Sequence, residues 1–550
     1  MHIDPTADLG THEVLNQPAA PGDRDLWRDD PALRAMLEAG GGQAEGPARY
    51  GALLGRAEMA GAARDANRHP PELVLFDSGG RRLDELRFHP AWHRFMRDSI
   101  AAGYHSVAWE GRPAGHLTHA AMVYLASQVE PGHCCPLTMT YAAIPVVSGA
   151  GDLPGDWRAA LLSRRYDPAV LPLSAKQGAT LGMAMTEKQG GSDLRANTTR
   201  AEPDGGAWRL TGHKWFCSAP MSDGFLTLAQ TGRGLTCFLA PRWLEGGRNA
   251  IRIQRLKDKL GNRSNGSAEI EYQRALAWRI GEEGAGIRTI LAMVHHTRLD
   301  TAMAPAGLMR AALREAHHWS AQRSAFQRRL IDQPLMRSVL ADLVLDWLGC
   351  LALGLHVAAS FDGQAAEDRA FARIGVALAK YLSNKLCPMV VAEAMEVLGG
   401  MGYVEDTPLP LLYREAPLNG IWEGSGNVIC LDVLRTLARE PLAAEVLAAR
   451  LDGARGLDPA FDAALAAHRE CWGGGVPEAE ARWFTERSAL LLAGAVLLLQ
   501  GDADLAGAFV RTRLGAERGR TPGAIPAVLA ERILAQGFPV GAEAADQRDR

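Results

Sequence analysis

The spacing of hydrophobic residues changes twice along this 550-residue chain, and these changes limit the folds it can adopt. Up to about residue 177 the pattern is helical but interrupted by proline and glycine, from about 178 to 283 apolar and polar residues tend to alternate, and after 285 the helical spacing returns. Alternation with a period of two is typical of strands, whereas a period near 3.6 is typical of helices. The sequence therefore predicts a mainly α protein with an inserted β domain.

These changes divide the chain into four segments. We expect an N-terminal helical domain with an extension at 1–177, a middle β domain at 178–283, a helical bundle at 284–440, and an additional C-terminal helical domain at 441–550. In the first segment, the proline within Leu83–His93 is expected to end one helix and start another. The strands expected in the β domain, which should form a small barrel or sandwich, are Trp208–Ser218, Gly224–Gln230, Leu235–Ala240, Ile251–Leu256 and Ser267–Trp278.

Composition excludes several classes of protein. The formal charge of −4 means that nucleic-acid binding would require a local cluster of arginines. The N-terminus lacks the features of a secretory signal, and the longest apolar run, Leu490–Leu499, is shorter than a membrane span. Eight cysteines without paired spacing fit reduced thiols rather than zinc sites or disulfides. We therefore predict a soluble, cytoplasmic protein without a membrane segment or a metal.

Two common kinds of site are also not supported. The chain has no G-x-x-x-x-G-K-[ST] phosphate loop, and the glycines at 399, 400 and 402 are not part of a dinucleotide-binding fingerprint. The adjacent pairs His295-His296 and His317-His318 cannot place both rings on one helical face. We interpret these histidines as packing or surface residues rather than metal ligands.

Two stretches of the β domain could contact a planar polar ring. In Met183–Thr199 the hydroxyls of Thr186 and Ser192 flank a pair of glycines, although a glycine hairpin with exposed polar side chains explains the same pattern. In Gly212–Ser218 the aromatic Phe216 and the hydroxyl of Ser218 share one strand face. The alternative for this second stretch is a half-buried strand whose aromatic residue packs in the core.

A third stretch, Tyr413–Asn427, contains a lone carboxylate. Glu423 lies between Trp422 and Gly424, where an adjacent large apolar side chain is expected to exclude water. Desolvation raises the pKa of a carboxyl group toward values useful for proton abstraction at neutral pH. The alternative is an exposed loop glutamate with an ordinary pKa.

Together these stretches resemble the acyl-CoA dehydrogenase family over residues 80 to 440, and the order of helical domain, β domain and bundle agrees with it. The motifs that carry the resemblance are MTEKQGGSD, HKWF, LKDKLGNRSN, AMEVLGGMGY and IWEGSGN. The residues of these motifs are most similar to those of the family branch associated with the response to DNA alkylation. The segments HEVLNQ and FHPAWH and the helical tail are similar to that branch too. The resemblance implies an acyl-CoA dehydrogenase-like fold, a homotetramer and one FAD per subunit between the β domain and the bundle.

The resemblance also implies roles for individual residues, with Glu423 as the base that abstracts the α-proton. The implied FAD-binding residues are Met185, Thr186, Gly191, Ser192, Trp215, Phe216, Ser218, Arg323, Phe326, Glu396, Gly399, Gly400, Trp422, Ser425 and Asn427. Of these, Arg323, Phe326, Glu396, Gly399 and Gly400 match family segments that reach the adenine and pyrophosphate of a neighbouring subunit.

This sequence departs from the family pattern at several positions. Glu396 stands where the family usually has glutamine, and Gln327 stands where it usually has glycine, and both departures fall in segments implied to reach the adenine. Thr297 occupies the position at which some members carry the base on a bundle helix, so that Glu423 is the remaining candidate. Trp422 replaces a common tyrosine, and a bulkier indole would narrow the acyl pocket.

The resemblance implies α,β-dehydrogenation of a short or branched acyl-CoA such as isovaleryl-CoA, with weak turnover, together with double-stranded DNA binding in the response to alkylation damage. An acyl-CoA oxidase would use the same residues. Another alternative is a flavoprotein that binds and protects double-stranded DNA and whose catalysis is vestigial. The arginines expected to contact phosphates are Arg435, Arg511, Arg513 and Arg518, although from charge alone a solvated or salt-bridged helix face explains them as well.

Overall fold

The N-terminal region is helical except for one hairpin. The computed structural model describes residues 5–151, 153–523 and 525–538. The elements up to residue 162 are α1 (Pro31–Ala39), α2 (Glu45–Leu54), α3 (Ala57–Arg68), β1 (Glu72–Phe76), β2 (Arg82–Arg87), α4 (Pro90–Ala102), α5 (Gly115–Ser127), α6 (Cys134–Ser148) and α7 (Trp157–Leu162).

The β1–β2 hairpin corrects the sequence analysis of Leu83–His93. Residues 82–87 form a strand paired antiparallel with β1, so no helix ends before Pro90, whereas α4 does begin at that proline. Pairing places Leu73 opposite Leu86, and both side chains pack against the core of the β domain. The prediction was wrong because this tertiary contact outweighs a local spacing that is also compatible with a helix.

The middle region is a β barrel. The strands are β3 (Leu181–Ala184), β4 (Arg200–Asp204), β5 (Ala207–Ser218), β6 (Gly224–Thr231), β7 (Gly234–Pro241), β8 (Trp243–Leu244), β9 (Gly247–Arg248), β10 (Ile251–Leu256) and β11 (Ser267–Ile280). A closed ring is formed because β11 pairs with β5, β5 with β4, β4 with β6, β6 with β7, and β7 with β11. All the strands predicted from the sequence are confirmed, whereas β3 and β4 were not foreseen.

Long helices follow the barrel and form a bundle. The elements are α8 (Gly286–Gln322), β12 (Ser324–Ala325), β13 (Arg328–Arg329), α9 (Pro334–Asp362), α10 (Ala366–Val397), α11 (Leu409–Glu415) and α12 (Gly426–Arg439). By length and composition α9 could cross a membrane, but 94% of its most apolar window is buried within the protein. It is therefore the core helix of this bundle, and it is a better match to a span than the Leu490–Leu499 run identified from sequence.

The C-terminal tail packs onto the bundle. Its helices are α13 (Pro441–Asp452), α14 (Pro459–Trp472), α15 (Ala481–Gln500), α16 (Ala503–Phe509), a π-helical turn (Val510–Leu514) and α17 (Ala527–Gly537). Their buried apolar side chains belong to the same continuous hydrophobic core as those of α8, α9 and α10. The tail is therefore helical as predicted, but its apolar residues share a core with the bundle.

A buried ion pair fixes the tail to α9. The guanidinium of Arg513 contacts Oδ1 of Asp342 at 2.7 Å and Oδ1 of Asp346 at 2.8 Å, and all three side chains are at most 2% exposed. Arg518 adds a 2.8 Å contact with Oδ2 of Asp346. Removing one member of such a group leaves an uncompensated charge in the interior.

We predict that Arg513→Ala destabilises the protein by about 3–5 kcal/mol, because two aspartates of α9 would lose their main partner. Arg511→Ala is the matched control, since Arg511 lies two residues away on the exposed side of the same turn and should change stability by no more than about 0.5 kcal/mol. Urea denaturation measures both values. Equal midpoints for the two variants would show that the ion pair does not stabilise the tail.

Candidate active site

Glu423 lies in the loop before α12 and is held against α8. Its φ is +57° and that of Gly424 is +104°, so the chain turns sharply through two residues with positive φ. The hydroxyl of Thr297, on α8, donates a hydrogen bond of 2.7 Å to Oε2 of Glu423. Thr297 therefore fixes the direction of the carboxylate.

Two buried cations hold this loop by its carbonyl groups. Nε of Arg298 donates to the carbonyl oxygen of Glu423 at 3.2 Å. Nζ of Lys380, on α10, donates to the carbonyl oxygens of Asn419 at 2.5 Å and Trp422 at 3.1 Å. The indole Nε1 of Trp422 donates to Oδ1 of Asn419 at 2.8 Å, which fixes the ring next to Glu423.

The surroundings of Glu423 change its acidity in the direction that the sequence predicts. Burial raises the pKa of Glu423, while the hydrogen bond from Thr297 and the charges of Lys380 and Arg298 lower it in part. Burial also lowers the pKa of Lys380 to about 7. A carboxylate with a raised pKa is a better proton acceptor near neutral pH than an ordinary glutamate.

On the β-domain side, the segment after β3 lies against β5. The backbone N–H of Trp215 donates to the carbonyl oxygen of Thr186 at 2.7 Å, and Nδ2 of Asn197 donates to that of Met185 at 2.8 Å. The Thr186 side chain is half-buried, and within the described part of the chain its hydroxyl has no hydrogen-bond partner. Two of the predicted stretches are therefore directly joined.

A buried ion pair shapes the loop that follows Thr186. Nζ of Lys214 donates to Oε1 of Glu187 at 2.7 Å, and both side chains are fully buried. Glu187 also pairs through its backbone with Gly190, so the polar residues after Thr186 do form a tight turn. A Cβ atom on Gly191 would lie 3.3 Å from the methyl group of Thr186, while Ser192 is exposed.

The end of β5 presents an aromatic face. Phe216 is 49% exposed and Ser218 is half-buried, in agreement with the alternation predicted for this strand. Nζ of Lys257 lies 3.2 Å from the ring centroid of Trp215 and 4.7 Å from that of Phe216. Phe216 is therefore accessible to a planar ligand rather than packed in the core.

Cys135, near the start of α6, lies where the three stretches meet. The pKa of its thiol is raised to about 12, first by burial, and it is further raised by the charge of Glu423 and lowered by a hydrogen bond with Ser218. Met185 and Trp422 pack against the same buried apolar cluster that contains Cys135. Within one chain, the β domain and the Glu423 loop thus converge on α6.

These residues fit a flavin. An isoalloxazine ring needs a flat apolar contact and hydrogen-bond partners at its edge, and the exposed Phe216 ring and the free hydroxyl of Thr186 provide both. Glu423 lies on the bundle side of the same junction. The arrangement can therefore hold a planar cofactor with a desolvated base close by.

The residues predicted to reach the adenine lie on the surface. Phe326 is 94% exposed, and together with Gln327 it forms the turn of the β12–β13 hairpin with φ values of +51° and +63°. Arg323 donates to the carbonyl oxygen of Asn16 at 2.8 Å. Positive φ at Gln327 explains why glycine suits this position better, since a side chain here is strained.

The remaining predicted cofactor residues are also exposed. Asn427 accepts a hydrogen bond of 3.4 Å from Nη1 of Arg482, which belongs to the tail. Exposed positions are accessible to a bound cofactor or to a neighbouring subunit. The exposed residues are Glu396, Gly399, Gly400, Ser425 and Asn427.

The structure corrects part of the predicted DNA-binding surface. The buried side chain of Arg513 is bound to the two aspartates of α9, and Arg518 contacts the same pair, so the salt-bridged alternative holds for both. Arg511 is exposed, and the side chain of Arg435 is 60% exposed with Asp432 at 3.9 Å. Only Arg511 and Arg435 of the four predicted residues can approach a phosphate freely.

The interpretation of the adjacent histidines is confirmed for His295 and His296. The ring of His295 stacks on Phe361 at 4.5 Å, and that of His296 lies 5.1 Å from Trp109. Burial lowers the pKa of both imidazoles. Within the residues that the structure describes, no group of acidic, histidine or cysteine side chains is arranged to hold a metal, and all eight cysteines are free thiols.

Sequence reasoning missed two residues that hold the Glu423 loop and one that joins it to the β domain. Lys380 is a single lysine within the apolar run GVALAKYL, which is a recognisable signal for a buried and functional cation. Arg298 and Cys135 had no comparable signal. Their roles follow from contacts between elements that are distant in sequence.

Comparison with known proteins agrees with this architecture. Residues 16–168 match the adaptive response protein AidB N-terminal domain, 182–275 the acyl-CoA dehydrogenase middle domain, and 284–438 the acyl-CoA dehydrogenase C-terminal domain. The chain is 47% identical over 463 residues to AidB of Escherichia coli strain K12, covering 83% of this chain and 86% of that protein.

Solved structures are similar over most of the chain. The structure of Caenorhabditis elegans ACDH-11 in complex with C11-CoA has a TM-score of 0.82 at 26% identity and covers 98% of both chains. An acyl-CoA dehydrogenase from Bacillus anthracis complexed with FAD has a TM-score of 0.61 at 15% identity, covering 84% of this chain and 85% of that one, which supports the fold alone.

The chain belongs to the acyl-CoA dehydrogenase family. Within that family it is a flavoprotein of the AidB type, and its cofactor is FAD. The fold class expected from the sequence is confirmed, and so is the resemblance from which FAD was expected.

We predict that Thr297→Val shifts the pH dependence of acyl-CoA-driven flavin reduction. The lost hydrogen bond stabilises ionised Glu423, so its removal raises the pKa of this carboxyl further. The base must be ionised to accept a proton. The rate of flavin reduction at the acidic end of the pH profile should therefore fall below that of the wild type and recover at higher pH. Stopped-flow measurement of anaerobic flavin bleaching across pH tests this.

Thr301→Val is the control for this experiment. Thr301 lies one turn further along α8 and donates to the carbonyl oxygen of Arg298 at 3.1 Å rather than to Glu423. The pH profile of flavin bleaching in Thr301→Val should match that of the wild type. If Thr297→Val also leaves the profile unmoved, Thr297 does not control the protonation of Glu423.

Proposed function

We propose that this protein catalyses α,β-dehydrogenation of an acyl-CoA thioester and that Glu423 abstracts the α-proton. The observation that supports this most directly is the half-buried carboxylate of Glu423, whose pKa burial raises and which Thr297 holds beside the junction with the β domain. The structure of ACDH-11 with C11-CoA supports the substrate class. Our proposal for the cofactor contacts is the set named from the sequence, with Thr186, Phe216 and Ser218 at the flavin.

The protein contributes position and a low dielectric to this reaction. When bound, FAD supplies the acceptor for the hydride that leaves the β-carbon. Glu423 takes the α-proton, and the loop contacts from Lys380 and Arg298 keep its carboxylate in place. Exclusion of water by Trp422 and the apolar cluster around Cys135 maintains the raised pKa of the base.

We further propose a short or branched acyl chain, such as isovaleryl, as the substrate. The indole of Trp422 is fixed by its hydrogen bond to Asn419, so it cannot easily move aside for a long chain. A longer chain is the competing possibility, because ACDH-11 was solved with C11-CoA. Relative kcat/KM values for isovaleryl-CoA and an eleven-carbon acyl-CoA distinguish the two.

We predict that Glu423→Gln retains FAD but slows anaerobic flavin bleaching by acyl-CoA by on the order of 10²–10⁴-fold, the usual contribution of a general base. The amide keeps the shape of the side chain but cannot accept the proton. FAD content is measured from the visible absorbance of the purified variant, and bleaching by stopped flow.

Glu393→Gln is the matched control for Glu423→Gln. Burial also raises the pKa of Glu393, which lies on α10 and is half-buried outside the loop. Its bleaching rate should stay within about twofold of the wild type. Unchanged bleaching in Glu423→Gln would remove this residue from the mechanism.

An acyl-CoA oxidase is the alternative that uses the same residues. It differs in whether oxygen reaches the reduced flavin. Stoichiometric peroxide under air, with the same substrate that bleaches the flavin anaerobically, would identify the oxidase. Slow peroxide formation with rapid turnover on an artificial electron acceptor supports the dehydrogenase.

Binding of double-stranded DNA is a second candidate function, with or without vestigial catalysis. The resemblance to the alkylation-response branch suggests it, and the exposure of Arg511 and Arg435 is consistent with it. Because the net charge is −4, affinity would depend on such local cations.

We predict that the double variant Arg511→Ala/Arg435→Ala binds duplex DNA more weakly and with less salt dependence. Each lost phosphate contact should reduce the slope of log K against log salt by about 0.9. Fluorescence anisotropy with a labelled duplex measures both. Arg233→Ala is the control, since Arg233 is 80% exposed on the β6–β7 turn. Unchanged slopes in the double variant would reject this surface.

We also propose a homotetramer in the cytoplasm. Large apolar side chains are exposed on the bundle, with Phe326 at 94%, Tyr403 at 83% and Leu335 at 76%, and such residues are typical of buried subunit contacts. Sedimentation equilibrium at the mass of one chain would contradict the tetramer.

A further inference from the structure

A cavity lies apart from Glu423, between α4, the segment 163–180 and one end of the barrel. Its volume is about 790 Å³, which is within the range of small-molecule sites. Its lining includes residues of β2 and residues that follow β5 and β7. Thr297, Lys380, Cys135 and Glu423 are not among the residues that line it.

One wall of this cavity is apolar. Trp92, Met96 and Ile100 are spaced four residues apart on one face of α4, and Phe88 precedes them. The rings of Phe88 and Trp92 stack with centroids 3.9 Å apart. Met221 extends this wall on the barrel side. The wall can therefore contact an aliphatic chain or a ring.

The opposite wall is charged, and most of its charges are paired. Nζ of Lys176 contacts Oδ1 of Asp223 at 2.7 Å. Nη1 of Arg248 contacts Oδ2 of Asp84 at 3.4 Å. In each pair the opposite charges compensate each other, so neither pair needs a charged ligand.

Arg242, which follows β7, is different. Its half-buried side chain lines the cavity, and burial lowers its pKa. Within the residues that the structure describes, its guanidinium has neither a hydrogen bond nor an ion pair within 4 Å; Asp223 is its strongest electrostatic neighbour. A half-buried guanidinium without a protein partner is free to pair with an anion that enters the cavity.

We propose that this cavity binds a small amphipathic carboxylate, with its carboxylate on Arg242 and its apolar part against Trp92, Met96 and Ile100. A planar guanidinium pairs with a carboxylate through two parallel hydrogen bonds. The apolar wall then favours a medium alkyl chain or an aromatic ring over acetate. The site is separate from acyl-CoA chemistry and does not depend on the proposed function.

Calorimetric titration of the FAD-bound protein with sodium octanoate tests the proposal. We expect saturable binding, at least tenfold weaker binding of acetate and of octanol, and no change in the visible flavin spectrum. Saturation with octanoyl-CoA should leave octanoate binding intact. Acetate binding as tightly as octanoate, displacement by octanoyl-CoA, or no saturable binding up to millimolar octanoate would each overturn the proposal.

Variants locate the site within the protein. Arg242→Met should reduce octanoate affinity at least tenfold, and Arg233→Met, on the exposed β6–β7 turn, should leave it unchanged. If Arg242→Met does not fold, Arg242→Lys decides, because it keeps the charge but not the paired hydrogen bonds, and we expect several-fold weaker binding. Wild-type affinity in the folded variant would show that Arg242 does not hold the ligand.

Discussion

The structure depends on keeping one half-buried carboxylate, that of Glu423, fixed in direction between the bundle and the β domain. Burial raises the pKa of Glu423, and the loop that carries it turns through positive φ to place it against Thr297. Such a loop needs support, which Lys380 and Arg298 provide through its carbonyl oxygens. Because the charges of the two cations also lower the pKa of Glu423, the residues that position its carboxylate offset part of the effect of burial.

The three-part architecture explains how the Glu423 loop meets the β domain. The barrel places Phe216 and Ser218 at the end of one strand, and both Met185 of the β domain and Trp422 of the Glu423 loop pack against the apolar cluster that contains Cys135 of α6. No single domain contains this junction. The tail contacts the bundle through the Arg513 ion pair and reaches Asn427 through Arg482, so that the C-terminal helices support a residue that we propose for cofactor binding.

The sequence predicts the alternating strands and the long helices well, because both periodicities depend on local burial. The sequence-based prediction of a helix before Pro90 was wrong, because residues 82–87 pair with β1 and pack on the barrel. These contacts outweigh a local pattern that also suits a helix. Sequence reasoning also misjudged Arg513 and Arg518, since a basic cluster has the same composition whether its charges face solvent or two buried aspartates. Glu423 could be found from its motif, whereas Arg298 and Cys135 required the three-dimensional contacts.

A crystal structure of the FAD-bound protein with a non-reactive acyl-CoA analogue tests the central claim most directly. We expect the flavin ring between Phe216 and the bundle, and a carboxylate oxygen of Glu423 about 3–3.5 Å from the α-carbon of the acyl group, the separation of a near-attack geometry. A Glu423 side chain turned to solvent, or an acyl group bound on the opposite side of the flavin, would contradict the account.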